Sequence, residues 1–156
     1  PGRKLRRALV MAVQRGVRVR LLSQGRYENF MQYHAARPVY GALLEAGVEI
    51  HEYAPSFLHA KVAVIDALGD KPWATVGSSN LDPLSLLLAR EANVVMDDPP
   101  FAAELQQRLE YAIETGSRLV VPQEYLKRGW IRRAVDAMSY AMLRLGVALT
   151  GKSGQY

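Results

Sequence analysis

The sequence predicts an α/β domain, a mixed β-sheet flanked by helices on both faces. Three observations predict it. Apolar residues recur at helical spacing in four segments, five short runs rich in branched residues lie between them, and a glycine stands just past the first two helical segments. Helices alternating with strands, followed by a cluster of strands, are what such a layered fold requires.

Residues 3–15 place Leu5, Leu9, Ala12 and Val13 on one helical face, with Gly16 as the stop. Arg3, Lys4, Arg6 and Arg7 on the other side read as a solvated basic face. Val17 to Leu22 alternates in its first half and reads as a strand. A helical pattern over 28–46 is interrupted by Pro38 and closed by Gly47, and the strand Val48 to Tyr53 follows. Pro55 and Ser56 mark a turn. Lys61 to Asp66 and Trp73 to Val76 read as two strands whose connection, Leu68-Gly69-Asp70-Lys71-Pro72, suits a hairpin. A fifth strand is expected at Glu91 to Met96, a helix from Phe101 to Thr115 behind Asp97-Asp98-Pro99-Pro100, and a last helical region over 123–149. The division expected is a globular part over 1–121 and a C-terminal amphipathic basic helix and tail over 122–156.

Composition narrows the function. Of 156 residues, 49% are apolar and 22% charged, which excludes a disordered chain, and the formal net charge of +5 favours anionic partners such as phosphate esters, nucleic acid or lipid headgroups. With no cysteine there is no disulfide, thiol nucleophile or thiolate metal site. No apolar run approaches the roughly 18 residues of a spanning helix. The chain opens on Pro1-Gly2-Arg3 with no leader pattern, so it reads as a piece of something longer.

The chemistry concentrates in Leu58-His59-Ala60-Lys61-Val62-Ala63-Val64-Ile65-Asp66 and Val76-Gly77-Ser78-Ser79-Asn80. On a strand, the period of two sends Lys61, Ala63 and Ile65 to one face, and His59 shares it. Gly77 permits a close backbone approach, and Ser78 and Asn80 add a hydroxyl and an amide that donate to phosphate oxygens. Phosphodiester transfer suits this set. Lys61 supplies a fixed cation without a metal or other cofactor, and imidazole either attacks phosphorus or moves protons near neutral pH. Glu91, opening the next strand, is the candidate carboxylate for orienting His59.

His59, Lys61, Asp66, Gly77, Ser78 and Asn80, as His-x-Lys-x4-Asp followed by Gly-Ser-x-Asn, resemble the phospholipase D superfamily signature. Gly47-Val48-Glu49-Ile50, Phe57-Leu58-His59-Ala60-Lys61 and Gly77 to Ser85 further resemble the C-terminal half of bacterial cardiolipin synthases. That resemblance implies a phospholipase D-like half-domain and no metal. It implies one of two active-site histidines in His59, phosphoryl binding by Lys61 and Asn80 with Ser78 in support, and orientation of His59 by Glu91. In the family one histidine forms a phosphohistidine and the other protonates the leaving alcohol; the acid/base role is assigned to His59, with nucleophile in reserve. Asp66 belongs to the signature, yet its place at the far strand end suggests a structural part. The implied partners are a phospholipid such as phosphatidylglycerol, a second motif-bearing half from the same protein or a homodimer, and an anionic membrane surface. The implied location is peripheral, on the cytoplasmic face of a bacterial inner membrane.

Three features depart from the family pattern. Ten residues separate Asp66 from Gly77, more than is usual, as a longer hairpin would give. Ala89 stands where many relatives carry Asn, and only one motif copy is present. The rival functions are a phosphodiester hydrolase, phospholipase or nuclease, of the same superfamily, and a non-catalytic lipid-binding or dimerisation module. His34 and His51 lack partner spacing and read as surface or packing residues. Leu126, Trp130, Ala134, Met138, Met142 and Leu145 form a stripe among Lys127, Arg128, Arg132, Arg133 and Arg144, suited either to a membrane interface or to packing on the sheet or on the missing half.

Overall fold

The computed structural model describes residues 3–26, 30–79, 91–127 and 129–151. The chain runs α1 (Arg3–Gln14), β1 (Arg20–Gln24), α2 (Phe30–Glu45), β2 (Glu49–Tyr53), β3 (Lys61–Ile65), β4 (Trp73–Gly77), β5 (Asn93–Met96), α3 (Pro99–Gly116), β6 (Ser117–Leu119), α4 (Pro122–Leu126) and α5 (Trp130–Gly151). Asn80 and Ala89 lie outside the described residues, as do Arg128 and the tail beyond 151.

The α/β class holds, with the strands divided between two three-stranded sheets, β1-β2-β6 and β3-β4-β5. In the first, β1 and β2 are parallel, with Arg20 opposite Glu49 and Gln24 opposite Tyr53, and β6 runs antiparallel along the other edge of β2. That edge is therefore closed to β3. The strand β6 has only three residues, too few for a period to show in the sequence. β1 begins later than the sequence suggests because Val17 is exposed and Arg18 is turned to an ion pair with Glu49, at 2.8 Å.

α2 passes through Pro38 unbroken; one missing internal hydrogen bond is outweighed by the helix's packing. Its end is set by Gly47, whose φ of +91° is left-handed. There Gly47 N–H donates to the Leu44 carbonyl and Val48 N–H to that of Leu43, satisfying carbonyls the helix leaves open. Leu43, Leu44, Val48 and Ile50 form the buried heart of the first sheet's core, against Leu9 and Val13 of α1. α3 starts behind the Asp98 cap, whose carboxylate accepts from Phe101 N–H at 2.8 Å. It reaches both sheets. Ala102 is buried with Ala67 and Ala74 on the second, while Glu110 binds Arg20 of the first at 2.8 Å.

The last helical region forms two helices, α4 and α5, and α5 packs on α2. Asp136 and Ser139 are buried there, and His34 Nδ1 lies 2.5 Å from Asp136 Oδ1. His34 is thus a packing residue. His51 is too, with Nδ1 sharing a hydrogen bond with Ser117 Oγ at 3.3 Å.

Two carboxyls confer acid sensitivity. The hydrogen bond and charge of Arg18 hold Glu49 below its ordinary value of 4.5, and Gln106 and then Arg20 do the same for Glu110. A carboxyl depressed in the folded state contributes stability that is present above the unfolded value and lost as pH falls through the folded one. Unfolding free energy should therefore decline below about pH 4.5. Urea titrations should show a flatter acid limb in Glu49→Gln and Glu110→Gln. The effect is small because solvent screens both groups.

Candidate functional site

The site forms at one end of the β3-β4-β5 sheet. Antiparallel pairing places Lys61, the first residue of β3, opposite Gly77, the last of β4, and Gly77 opposite Asn93, the first of β5. With strands about 4.8 Å apart, these three form one row across the sheet. The same alternation turns Val62 and Val64 to the other face, where Val64 packs against the Ala67, Ala74 and Ala102 cluster under α3. The helix thus braces the sheet from behind and leaves the row of Lys61 uncovered by it.

His59 lies two residues before β3 and is exposed. The Lys61 ammonium donates to the His59 backbone carbonyl at 2.9 Å, tying the two residues together at the strand mouth. Beyond Gly77 the ladder continues, with Ser78 N–H donating to the Ala92 carbonyl at 3.0 Å and Ala92 N–H to Ser78 Oγ at 3.1 Å. Ser78 Oγ in turn donates to the Glu91 carboxylate. The fold thus gathers Lys61, Gly77, Ser78 and Glu91 at one edge, with His59 beside them.

Glu91 lies two residues before β5, which is separated from β3 by β4, and its carboxylate accepts a hydrogen bond from Ser78 Oγ. Asp66 is at the opposite end of β3, about 17 Å along the strand from Lys61 by the rise per residue. Its φ of +48° and the Gly69 N–H donating to its carbonyl at 2.8 Å make it a turn residue of the hairpin. Asn80, expected to bind phosphate, lies outside the described residues.

The reason for Gly77 is also structural. A Cβ there would stand 1.8 Å from Asn93 Oδ1 and 2.5 Å from the Ala92 carbonyl oxygen. The Asn93 carboxamide fills that space and grips the next turn, accepting from Ser79 N–H at 3.3 Å and donating to Ser79 Oγ at 2.8 Å. Asn93 is the positioning residue that sequence reasoning missed. Its signal was an amide opening an otherwise apolar strand, Val94-Val95-Met96. Asn93→Ala should cost about 1 kcal/mol in urea unfolding, from two lost hydrogen bonds on an exposed turn. Among the described residues no three His, Asp or Glu side chains converge as a metal-ligand set.

The family model described as cardiolipin synthase, PLD-like domain, matches residues 1–113. The chain belongs to this family. Cardiolipin synthase B of Salmonella typhi is 38% identical over 151 residues, 97% of this chain and 36% of the relative. Cardiolipin synthase B of Escherichia coli (strain K12) is 39% identical over the same span. The probable cardiolipin synthase YwiE of Bacillus subtilis (strain 168) is 33% identical over 147 residues, 94% of this chain and 28% of the relative. The chain therefore spans about a third of the length of the curated relatives it matches, and with 151 residues aligned the likeness to the first two runs on through the C-terminal helices.

Proposed function

We propose that the chain supplies one of the two histidine–lysine motifs of a phosphatidyltransferase that forms cardiolipin. The observation that supports this is the pairing of Lys61 with Gly77, with the Lys61 ammonium held on the His59 carbonyl. In the proposed cycle a histidine of the second motif attacks phosphorus of the donor lipid, forming a P–N bond as the bond to the leaving glycerol oxygen breaks. His59 gives its proton to that oxygen. It then takes the proton of the acceptor hydroxyl as that oxygen attacks phosphorus and the P–N bond breaks. The Lys61 ammonium, with Ser78 and Asn80, meets the charge that develops on the phosphoryl oxygens. Glu91 enters through its hold on Ser78, and Asp66 through the hairpin turn.

The substrates in this reading are two phospholipids, phosphatidylglycerol or similar. The second motif comes from another part of the same polypeptide or from a second copy. One imidazole cannot at once be adduct and leaving-group acid, so the chain alone should be nearly inert. Among the described residues no helix is long and apolar enough to cross a membrane. The proposed location is peripheral, on the cytoplasmic face of a bacterial inner membrane. The test is to offer the two-motif enzyme phosphatidylglycerol vesicles and, separately, single-stranded DNA. Cardiolipin formation is expected; DNA cleavage without lipid transfer sinks the proposal and favours a nuclease.

A further inference from the structure

Residues 54–60 carry the chain from β2 in the first sheet to β3 in the second, and they belong to neither a helix nor a strand. His59 stands on this segment, so its place depends on what holds the segment. The parallel register sets Gln24, the last residue of β1, opposite Tyr53, the last of β2, so both strands end where the segment begins. There Gln24, Gly25 and Arg26 grip it. Gly25 N–H donates to the Tyr53 carbonyl at 2.7 Å, the Arg26 guanidinium donates to the Ala54 carbonyl at 2.6 Å and to that of Pro55, and Gln24 Oε1 accepts from Leu58 N–H at 3.0 Å.

The Gln24 contact matters most, because Leu58 immediately precedes His59 and lies between the Arg26 hold and the Lys61 ammonium on the His59 carbonyl. A backbone N–H is satisfied only by an acceptor, so the Gln24 carboxamide must turn Oε1 to Leu58 and send Nε2 the other way. That nitrogen is buried and has no hydrogen-bond partner among the described residues. A buried donor without a partner lowers stability, and an apolar side chain of the same length would avoid it. The amide is therefore placed against stability, and what it secures is the residue before the imidazole.

We infer that Gln24 is a positioning residue for His59, holding the imidazole at the mouth of β3 through Leu58 N–H, with Arg26 bracing the same segment from the Ala54 and Pro55 carbonyls. The inference rests on the catalytic role proposed for His59 and deepens it. The first sheet, which carries no residue of the motif, sets the position of the motif's histidine. Proton transfer to and from a lipid oxygen is sensitive to such placement, since a displacement of about 1 Å costs up to about 100-fold. Neither Gln24 nor Arg26 needs to touch the lipid for this.

The test measures cardiolipin formation by the two-motif enzyme carrying Gln24→Met, which keeps the length of the side chain and removes both the acceptor and the buried donor. kcat should fall about 10–100-fold with KM changed by less than about twofold, and the urea midpoint should stay level or rise. In a His59→Ala background the same substitution should cost less than about twofold more, because nothing is left to position. Arg26→Met, at an exposed position, should lower kcat in the same way to a smaller extent. Should Gln24→Met lose its midpoint, Arg26→Met decides, and unchanged kcat there overturns the inference. It is overturned equally by parental kcat in Gln24→Met, by a loss carried in KM, or by an equal loss with and without His59. A loss with His59→Ala and none with Gln24→Met strikes the positioning role alone, whereas parental turnover in His59→Ala strikes the transfer reading and this inference with it.

Discussion

Replacing His59 with alanine is expected to lower cardiolipin formation by the two-motif enzyme about 10²–10⁴-fold, the range that a positioned proton donor and acceptor supplies. The fold should not change, because His59 is exposed and precedes β3, and substitutions at such places usually lie within about 0.5 kcal/mol. The loss would therefore be chemical. A donor lipid labelled on phosphorus separates the two roles open to the imidazole. If His59 is the acid and base, the variant still takes up label on the other histidine, and a donor with a better leaving group restores part of the rate. If His59 is the nucleophile, no label is taken up. Unchanged turnover in His59→Ala would remove the catalytic reading and leave a non-catalytic module.

The second large effect is expected from Gly77→Ala. The added methyl would collide with Asn93 Oδ1 and with the Ala92 carbonyl, at 1.8 and 2.5 Å. Asn93 must then release Ser79, and the start of β5 must move away from β4. Overpacking of this kind costs about 1–3 kcal/mol, and displacing the turn that carries Ser78 should cost up to about 100-fold in transfer. The companion variant Asn93→Ala tests the explanation. In that background Gly77→Ala should do less harm, because the carboxamide is gone, yet some cost should remain, because the Ala92 carbonyl is not. Equal costs in both backgrounds would show that the methyl group acts elsewhere.

These expectations show how unevenly the site could be read before folding. His59 and Lys61 were legible because a two-residue spacing at a strand mouth is a local pattern. Ser78 was legible as a hydroxyl beside a glycine, but its engagement with Glu91 was not. That contact depends on which strand lies between which, and the order β3-β4-β5 has no signature in any single segment. Asn93 was missed for a related reason. An amide at the start of an apolar strand gains meaning only when the facing residue is a glycine, and that pairing is a matter of register across the sheet.

The sequence by itself determined the α/β class, the helix stops at Gly16 and Gly47, the β3-β4 hairpin and the histidine–lysine motif, since each depends on residues close together along the chain. Only the tertiary structure decided that the strands divide into two sheets, that Glu91 holds Ser78, and that α5 turns Asp136 inward and its apolar stripe outward. Those outcomes depend on contacts between distant segments: β6 pairs along the second edge of β2, and His34 on α2 binds the Asp136 carboxylate of α5. Periodicity identifies an amphipathic helix, but which of its sides faces the protein is settled by the partner it finds.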